Sequence, residues 1–199
     1  MNMLKLPEKL VLASTNAGKL KELSLLLSPF NVNVLAQSEF NIADADETGL
    51  SFIENALIKA RHASKISGLA ALADDSGLCV AALNGAPGIR SARYSGGGDS
   101  ENNQKLLAEL SDETDRSAHF VCALALVTHW QDPTPTVVCG QWHGEILRAP
   151  QGDFGFGYDP VFWVPTHGCA AAQLSKEQKS AISHRAIALQ KLLAELKAQ

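Results

Sequence analysis

The chain has 199 residues, 46% of them apolar and 19% charged, which excludes disorder throughout and suffices to bury a core without covalent staples. Its 17 Lys and Arg against 21 Asp and Glu leave a net charge of −4, a poor balance for wrapping duplex DNA but no obstacle to small phosphorylated ligands needing a few local cations. No apolar run approaches the roughly 20 residues that span a bilayer, and residues 1–9 hold neither a long apolar stretch nor a small-residue cleavage site, so neither membrane nor secretory signal is expected.

In chain order, the apolar run Lys9-Leu10-Val11-Leu12-Ala13 predicts a buried strand. It meets Ser14-Thr15-Asn16-Ala17-Gly18-Lys19, after which Leu20, Leu23, Leu26 and Leu27 recur at helical spacing until Pro29 ends the pattern. Residues 32–36 read as a second strand, and residues 41–48 as an acidic loop carrying Asp44, Asp46 and Glu47. Ser51 and Glu54 fit a capping box opening a helix with Phe52, Ala56, Ala60 and Ala63 on one face and Gly68 as its stop. Residues 69–73 predict a strand closed by a turn at Asp74-Asp75-Ser76-Gly77, and residues 85–98 a loop. A short helix is expected around Leu106, Leu107 and Leu110, then an antiparallel strand pair over 118–130 and 136–146. Residues 152–160 form a glycine-rich loop before the apolar run at 161–164, and a last helix is expected from Ser183. The sum is an α/β class with a mixed sheet. Cys79, Cys122, Cys139 and Cys169 are far apart with no Cys-x-x-Cys, which points to buried free thiols in a reducing cytoplasm.

Five constellations could carry chemistry. Ser14, Thr15, Asn16, Gly18 and Lys19 stand at a strand-to-helix turn, where unpaired amides and partial positive charge suit phosphate; simple capping with a solvated lysine is the alternative. It is not an ATP-binding P-loop, because Ala13 stands in place of the first glycine and Leu20 in place of the Ser or Thr. Asp74-Asp75 follows a strand, where ligands gather in α/β sheets, and adjacent side chains diverge, so one aspartate can face a metal while its neighbour is structural. Asp44, Asp46 and Glu47, with Asp75, could supply oxygens for Mg²⁺, or form a solvated loop. Gly155-Phe156-Gly157-Tyr158-Asp159-Pro160 offers close backbone approach and an aromatic face for a base, or a tight turn. Lys179 with Ser183-His184-Arg185 offers donors to a carbonyl-bearing base, or exposed helix-end polarity. The remaining histidines read as structural or surface residues, and Trp130, Trp142 and Trp163 as core or edge packing. Together these signals propose a Mg²⁺-dependent nucleotide site.

The order of the motifs resembles the Ham1/inosine triphosphatase family of non-canonical purine NTP pyrophosphatases. The resemblance rests on Ser14-Thr15-Asn16-Ala17-Gly18-Lys19, Glu47-Thr48-Gly49, Phe52-Ile53-Glu54-Asn55-Ala56, Ala73-Asp74-Asp75-Ser76-Gly77-Leu78, Gly85-Ala86-Pro87-Gly88, Ser91-Ala92-Arg93-Tyr94, Gly155-Phe156-Gly157-Tyr158-Asp159-Pro160 and Lys179-Ser180-Ala181-Ile182-Ser183-His184-Arg185. It implies one domain over residues 1–199, with an elongated mixed β-sheet flanked by helices, in two lobes with a central active-site cleft. It also implies hydrolysis of dITP, ITP and XTP to the monophosphate and pyrophosphate with Mg²⁺, cleansing the nucleotide pool of deaminated purines. By resemblance, Ser14, Thr15, Asn16, Ala17, Gly18 and Lys19 hold the triphosphate with Lys59, Asp75 is the catalytic carboxylate, and Ser76 touches substrate. Phe156 stacks on the purine, Gly157, Tyr158 and Asp159 shape the pocket, and Lys179, His184 and Arg185 read the base edge. The metal would be held by Asp75 with Asp46 or Glu47. The family often has two glutamates before its Thr-Gly pair where this chain has Asp46-Glu47, which leaves the second metal carboxylate open between the two. A cytoplasmic homodimer acting on a small-molecule purine nucleoside triphosphate, with no nucleic acid or membrane partner, is the corresponding expectation. A catalytically silent nucleotide sensor on the same fold is the alternative.

Overall fold

The chain opens with alternating strands and helices: β1 (Lys9–Leu12), α1 (Ala17–Leu27), β2 (Asn33–Ala36), α2 (Phe52–Ser67) and β3 (Ala70–Val80). It continues with α3 (Asp99–Glu109), β4 (Ser117–Val127), β5 (Thr136–Ile146), β6 (Phe162–Val164), β7 (Cys169–Ala170), α4 (Lys176–Ile182) and α5 (His184–Ala198). This computed structural model describes residues 6–30 and 32–198. Residues 1–5, within the segment read above as lacking a secretory signal, lie outside it. The strands form one sheet in the order β2-β1-β3-β4-β5-β6-β7. β1 pairs in parallel with β2 (Leu10 opposite Val34) and β3 (Leu10 opposite Ala70), whereas β5–β6 (Glu145 opposite Trp163) and β6–β7 are antiparallel, so the sheet is mixed, as the sequence pattern requires.

The chain divides into two compact units, the first from Met1–Asp75, Cys122–Gly140 and Arg185–Gln199, the second from Ser76–Val121 and Gln141–His184. In the first unit, strand alternation sends side chains to two cores. Leu10, Leu12, Leu72, Leu124 and Leu126 pack with Leu23 and Leu27 of α1 and Ala188, Leu189 and Leu192 of α5. Val11, Ala13, Ala71, Ala73, Ala123 and Ala125 pack with Ala56, Ala60 and Ala63 of α2, where small residues on both sides let the helix approach closely. In the second unit, Phe120, Trp142 and Phe162 form an aromatic core, with Phe120 and Phe162 centroids 4.6 Å apart. Gly144 is required there, because a Cβ would collide with the Trp163 carbonyl and the Phe162 ring.

The predicted capping of α2 is present: Ser51 Oγ accepts from Glu54 N at 3.2 Å, and Gly68 ends the helix at φ 71°. Three expectations are corrected. β3 does not close at Asp74 but runs on to Val80, because Asp74 and Asp75 find side-chain partners on neighbouring helices, Lys19 of α1, Lys59 of α2 and Arg185 of α5, and need no turn. Lys179 lies on a separate helix, α4, which Ser175 caps by accepting from Gln178 N, and Ser183, in extended backbone at ψ 160°, ends α4 before α5. Ser183, His184 and Arg185 are buried, not exposed helix-end polarity. All four cysteines are free; Cys122 is buried, and Cys79, Cys139 and Cys169 are half-buried. Trp130, read as packing, is 43% exposed.

Candidate active site

The first unit holds the carboxylate–lysine cluster. β1 delivers the chain to the start of α1, where Asn16 is the N-cap: its Oδ1 accepts from Lys19 N at 3.0 Å, and Ser14 Oγ accepts from Asn16 N at 3.2 Å. Thr15 Oγ1 donates to Asp44 Oδ2 at 2.9 Å, and Gln37 Nε2 donates to Asp44 Oδ1, so the acidic loop is fastened to this turn. Ala17 is exposed and Gly18 and Lys19 are half-buried.

Asp74 and Asp75, as neighbours on β3, serve different partners. Asp74 is wholly buried; its Oδ2 lies 3.1 Å from Lys19 Nζ and 3.4 Å from Arg185 Nε. Arg185, 3% exposed, also donates from Nη1 to Glu22 Oε2 at 2.7 Å. Burial acts to lower the Arg185 pKa, but Asp74 and Glu22 outweigh it and hold the guanidinium charged. Asp75 is 6% exposed; its Oδ1 accepts from Lys59 Nζ at 2.9 Å and its Oδ2 from Asn55 Nδ2 at 3.4 Å. Asn55 and Lys59 are four residues apart on α2 and so share a helix face. Burial pushes the Asp75 carboxyl above its ordinary value, opposed by Lys59 and Lys19 and reinforced by Glu47. Lys59 is subject to burial, which lowers its pKa, but Asp75, Asp74 and Glu47 dominate and raise it, so it remains an ammonium.

The acidic loop contributes unequally. Glu47 Oε1 lies 3.0 Å from Lys59 Nζ, while Asp46 is exposed and its backbone carbonyl accepts from Thr48 N. Asp75 and Glu47 therefore converge on one cation position and Asp46 does not join them. Among the described residues no group of three or more His, Cys, Asp and Glu side chains is arranged as a complete metal cage. The donors nevertheless fit Mg²⁺, which takes hard oxygens from one or two carboxylates and completes its shell with waters and phosphate. Lys19, Lys59 and Arg185 face four carboxylates, Glu22, Glu47, Asp74 and Asp75, so a polyphosphate needs an added cation to be welcome there.

The second unit holds the aromatic loop. Gly155 has φ 83°, and a Cβ there would collide with Asp159 Oδ2, which accepts from Phe156 N at 2.9 Å. The same oxygen pairs with Lys179 Nζ at 2.5 Å, and that ammonium lies 4.8 Å from the Phe156 ring centroid. Tyr158 is buried, and its hydroxyl donates to the Ser91 carbonyl at 2.8 Å. His184 is stacked on Phe120 at 4.8 Å and 12° and is 3% exposed. Ser76, the first residue of this unit, is half-buried on β3.

The structure thus gathers Lys19, Lys59, Asp75 and Glu47 in one unit with the turn of Ser14, Thr15 and Asn16, and Phe156, Asp159 and Lys179 in the other. Sequence reasoning missed Glu22 and Asn55 as partners. Helical spacing could have found both, since Glu22 is three residues from Lys19 and Asn55 four from Lys59.

Helices on both faces of a mixed sheet, with paired carboxylates and lysines beside a helix start, define an α/β protein whose polar cluster is built from hard oxygens and ammonium groups. The chain belongs to the Ham1 family, whose sequence model matches residues 10–195. It is 55% identical over 196 residues to the dITP/XTP pyrophosphatase of Vibrio cholerae serotype O1, covering 96% of this chain and 98% of that one. It is 56% identical over 190 residues to the dITP/XTP pyrophosphatase of Escherichia coli O157:H7, covering 94% and 96%. Among solved structures, a HAM1 protein from Coxiella burnetii superposes with a TM-score of 0.90 at 49% identity, covering 97% of this chain and all of that one.

Proposed function

We propose that the chain hydrolyses dITP, ITP and XTP to the nucleoside monophosphate and pyrophosphate. The observation carrying this reading is the convergence of Asp75 and Glu47 on Lys59 within a unit whose α1 start also presents Lys19, in a chain of this family. In the reaction a water oxygen bonds to the α-phosphorus, the bond from that phosphorus to the bridging oxygen breaks, and pyrophosphate leaves with the electron pair. Asp75 accepts the water proton. Lys19 and Lys59 offset negative charge building on the phosphate oxygens, and Ser14, Thr15, Asn16 and the amides of Ala17 and Gly18 orient the chain of phosphates. Asp75 and Glu47 would hold Mg²⁺, which when bound would supply further charge neutralisation to the phosphates.

The base is assigned to Phe156, which stacks on the purine, to Gly157, Tyr158 and Asp159, which shape its surroundings, and to Lys179, His184 and Arg185, which read its edge. Donors aimed at a 6-oxo group meet another donor when adenine enters, and an unmade buried hydrogen bond costs about 1–3 kcal/mol. We further propose that residues 1–199 act as one pyrophosphatase domain, as a homodimer in the cytoplasm, keeping deaminated purines from polymerases. No helix of the described residues is long and apolar enough to cross a membrane. The test is parallel incubation with dITP, XTP, dGTP and dATP in Mg²⁺. Pyrophosphate is expected from dITP and XTP, with little from dGTP or dATP and none from Asp75→Asn. Binding of dITP without any product would overturn the reading in favour of a silent sensor.

A further inference from the structure

The loop carrying Phe156 is fastened from a third element that none of the assigned roles uses. Gly157, the next residue, has both backbone polar groups engaged by α3: its N–H donates to Asp99 Oδ2 at 2.6 Å, and its carbonyl accepts from Asn103 Nδ2 at 3.0 Å. Asp99 and Asn103 are four residues apart and so lie on one face of α3, one turn from each other. On the other side of Phe156, its own N–H is held by Asp159. The aromatic ring is therefore bracketed by fixed peptides, one set by Asp159 and the next by α3. α3 is itself anchored, since Asn102 Oδ1 accepts from both Ser95 N and Ser95 Oγ at 2.7 Å.

Asn103 is 7% exposed, and its Oδ1 is buried with no hydrogen-bond partner. The amide cannot be turned to relieve this without placing Oδ1 against the Gly157 carbonyl. A buried acceptor left in this way costs stability, and such costs are tolerated where a group holds something in place. An apolar side chain of similar size would remove the unpaired acceptor but release the carbonyl of Gly157.

We infer that Asp99 and Asn103 are positioning residues for base recognition: by clamping both polar groups of Gly157 they fix the orientation in which Phe156 meets the purine. The inference rests on the proposal that Phe156 stacks on the base. The bonds of Asp99 and Asn103 to Gly157 lie within the second unit, and the carboxylate–lysine cluster lies in the first, so loss of the clamp weakens the grip on the base and spares the grip on phosphate.

The test is steady-state kinetics of the full chain with dITP, beside inhibition by inorganic tripolyphosphate, which carries no base. Asp99→Ala should raise KM for dITP about tenfold with kcat within about threefold and the tripolyphosphate inhibition constant unchanged. Asp99→Asn, which retains an acceptor oxygen, should restore most of the loss. Asn103→Leu should raise KM about threefold while leaving the melting temperature equal or higher, and it carries the test alone if Asp99→Ala does not fold. Wild-type KM in both variants would overturn the inference, as would parallel loss of dITP and tripolyphosphate affinity. A wild-type chain that turns over no dITP would instead overturn the proposed function, and this inference with it.

Discussion

Replacing Arg185 by leucine should cost stability on a scale the structure lets one calculate. The guanidinium is 3% exposed and spans Asp74 Oδ2 at 3.4 Å and Glu22 Oε2 at 2.7 Å. Asp74 is wholly buried, so removal of the guanidinium leaves its charge leaning on Lys19 at 3.1 Å. Breaking a buried ion pair from one side costs about 3–5 kcal/mol, chiefly for the charge left behind. At about 2–4 °C per kcal/mol for a chain of this size, the melting temperature should fall by about 6–20 °C. Asp74→Asn in the same background removes the stranded charge and should recover more than half of the loss, since non-additivity is the mark of a shared network. Thermal melts of wild type, Arg185→Leu and the double variant at neutral pH make the comparison. A single variant melting within about 2 °C of wild type, or a double variant no better than the single, would refute the reasoning.

Chelation should abolish turnover and added Mg²⁺ restore it. Glu47→Gln should raise the Mg²⁺ concentration for half-maximal rate about tenfold or more, while Asp46→Asn stays near wild type, because Glu47 alone of the two reaches the Lys59 position shared with Asp75. Both tyrosines should resist alkaline titration: Tyr94 is pushed up to about 12 by burial and by its hydrogen bond to Glu109, and Tyr158 higher still, chiefly by burial. A folded pKa above the unfolded value of 10.0 means each contribution is complete below pH 10; that of Tyr94 declines as pH rises through about 12, and that of Tyr158 is lost at still higher pH. Phenolate absorbance that develops at pH 10 in the native protein would contradict this. Asp132, 4% exposed, accepts from Thr128 N at 2.9 Å and Thr134 N at 2.9 Å, which hold its pKa at about 2 against the opposing effect of burial. Asp132→Ala should therefore cost about 2–3 kcal/mol in urea unfolding at neutral pH. The depressed pKa places the aspartate's contribution above pH 3.8, with loss as pH falls through about 2.

Much of the fold was legible because its signals are local and periodic. Leu10 and Leu12 alternate with Val11 and Ala13, and the two sets do face different cores. Ser51, Glu54 and Gly68 delimit α2 as their chemistry demands. What escaped depends on partners distant in sequence. Asp74-Asp75-Ser76-Gly77 carries turn residues, yet continues as strand because Lys19, Lys59 and Arg185 satisfy the aspartates. α4 is too short for a clear apolar period, so the sequence shows no separate helix around Lys179. The divergence of Asp74 and Asp75 follows from strand geometry and could be reasoned beforehand, whereas the choice of Glu47 over Asp46 at Lys59 could not. The clamp on Gly157 was invisible, since it joins residues 54 and 58 positions apart.

Hydrolysis of dITP in 18O-labelled water, with both products analysed by mass, tests the assigned reaction most directly. Attack at the α-phosphorus places one label in dIMP and leaves pyrophosphate unlabelled, with the signal lost in Asp75→Asn. Label in pyrophosphate, or release of labelled orthophosphate, would contradict it.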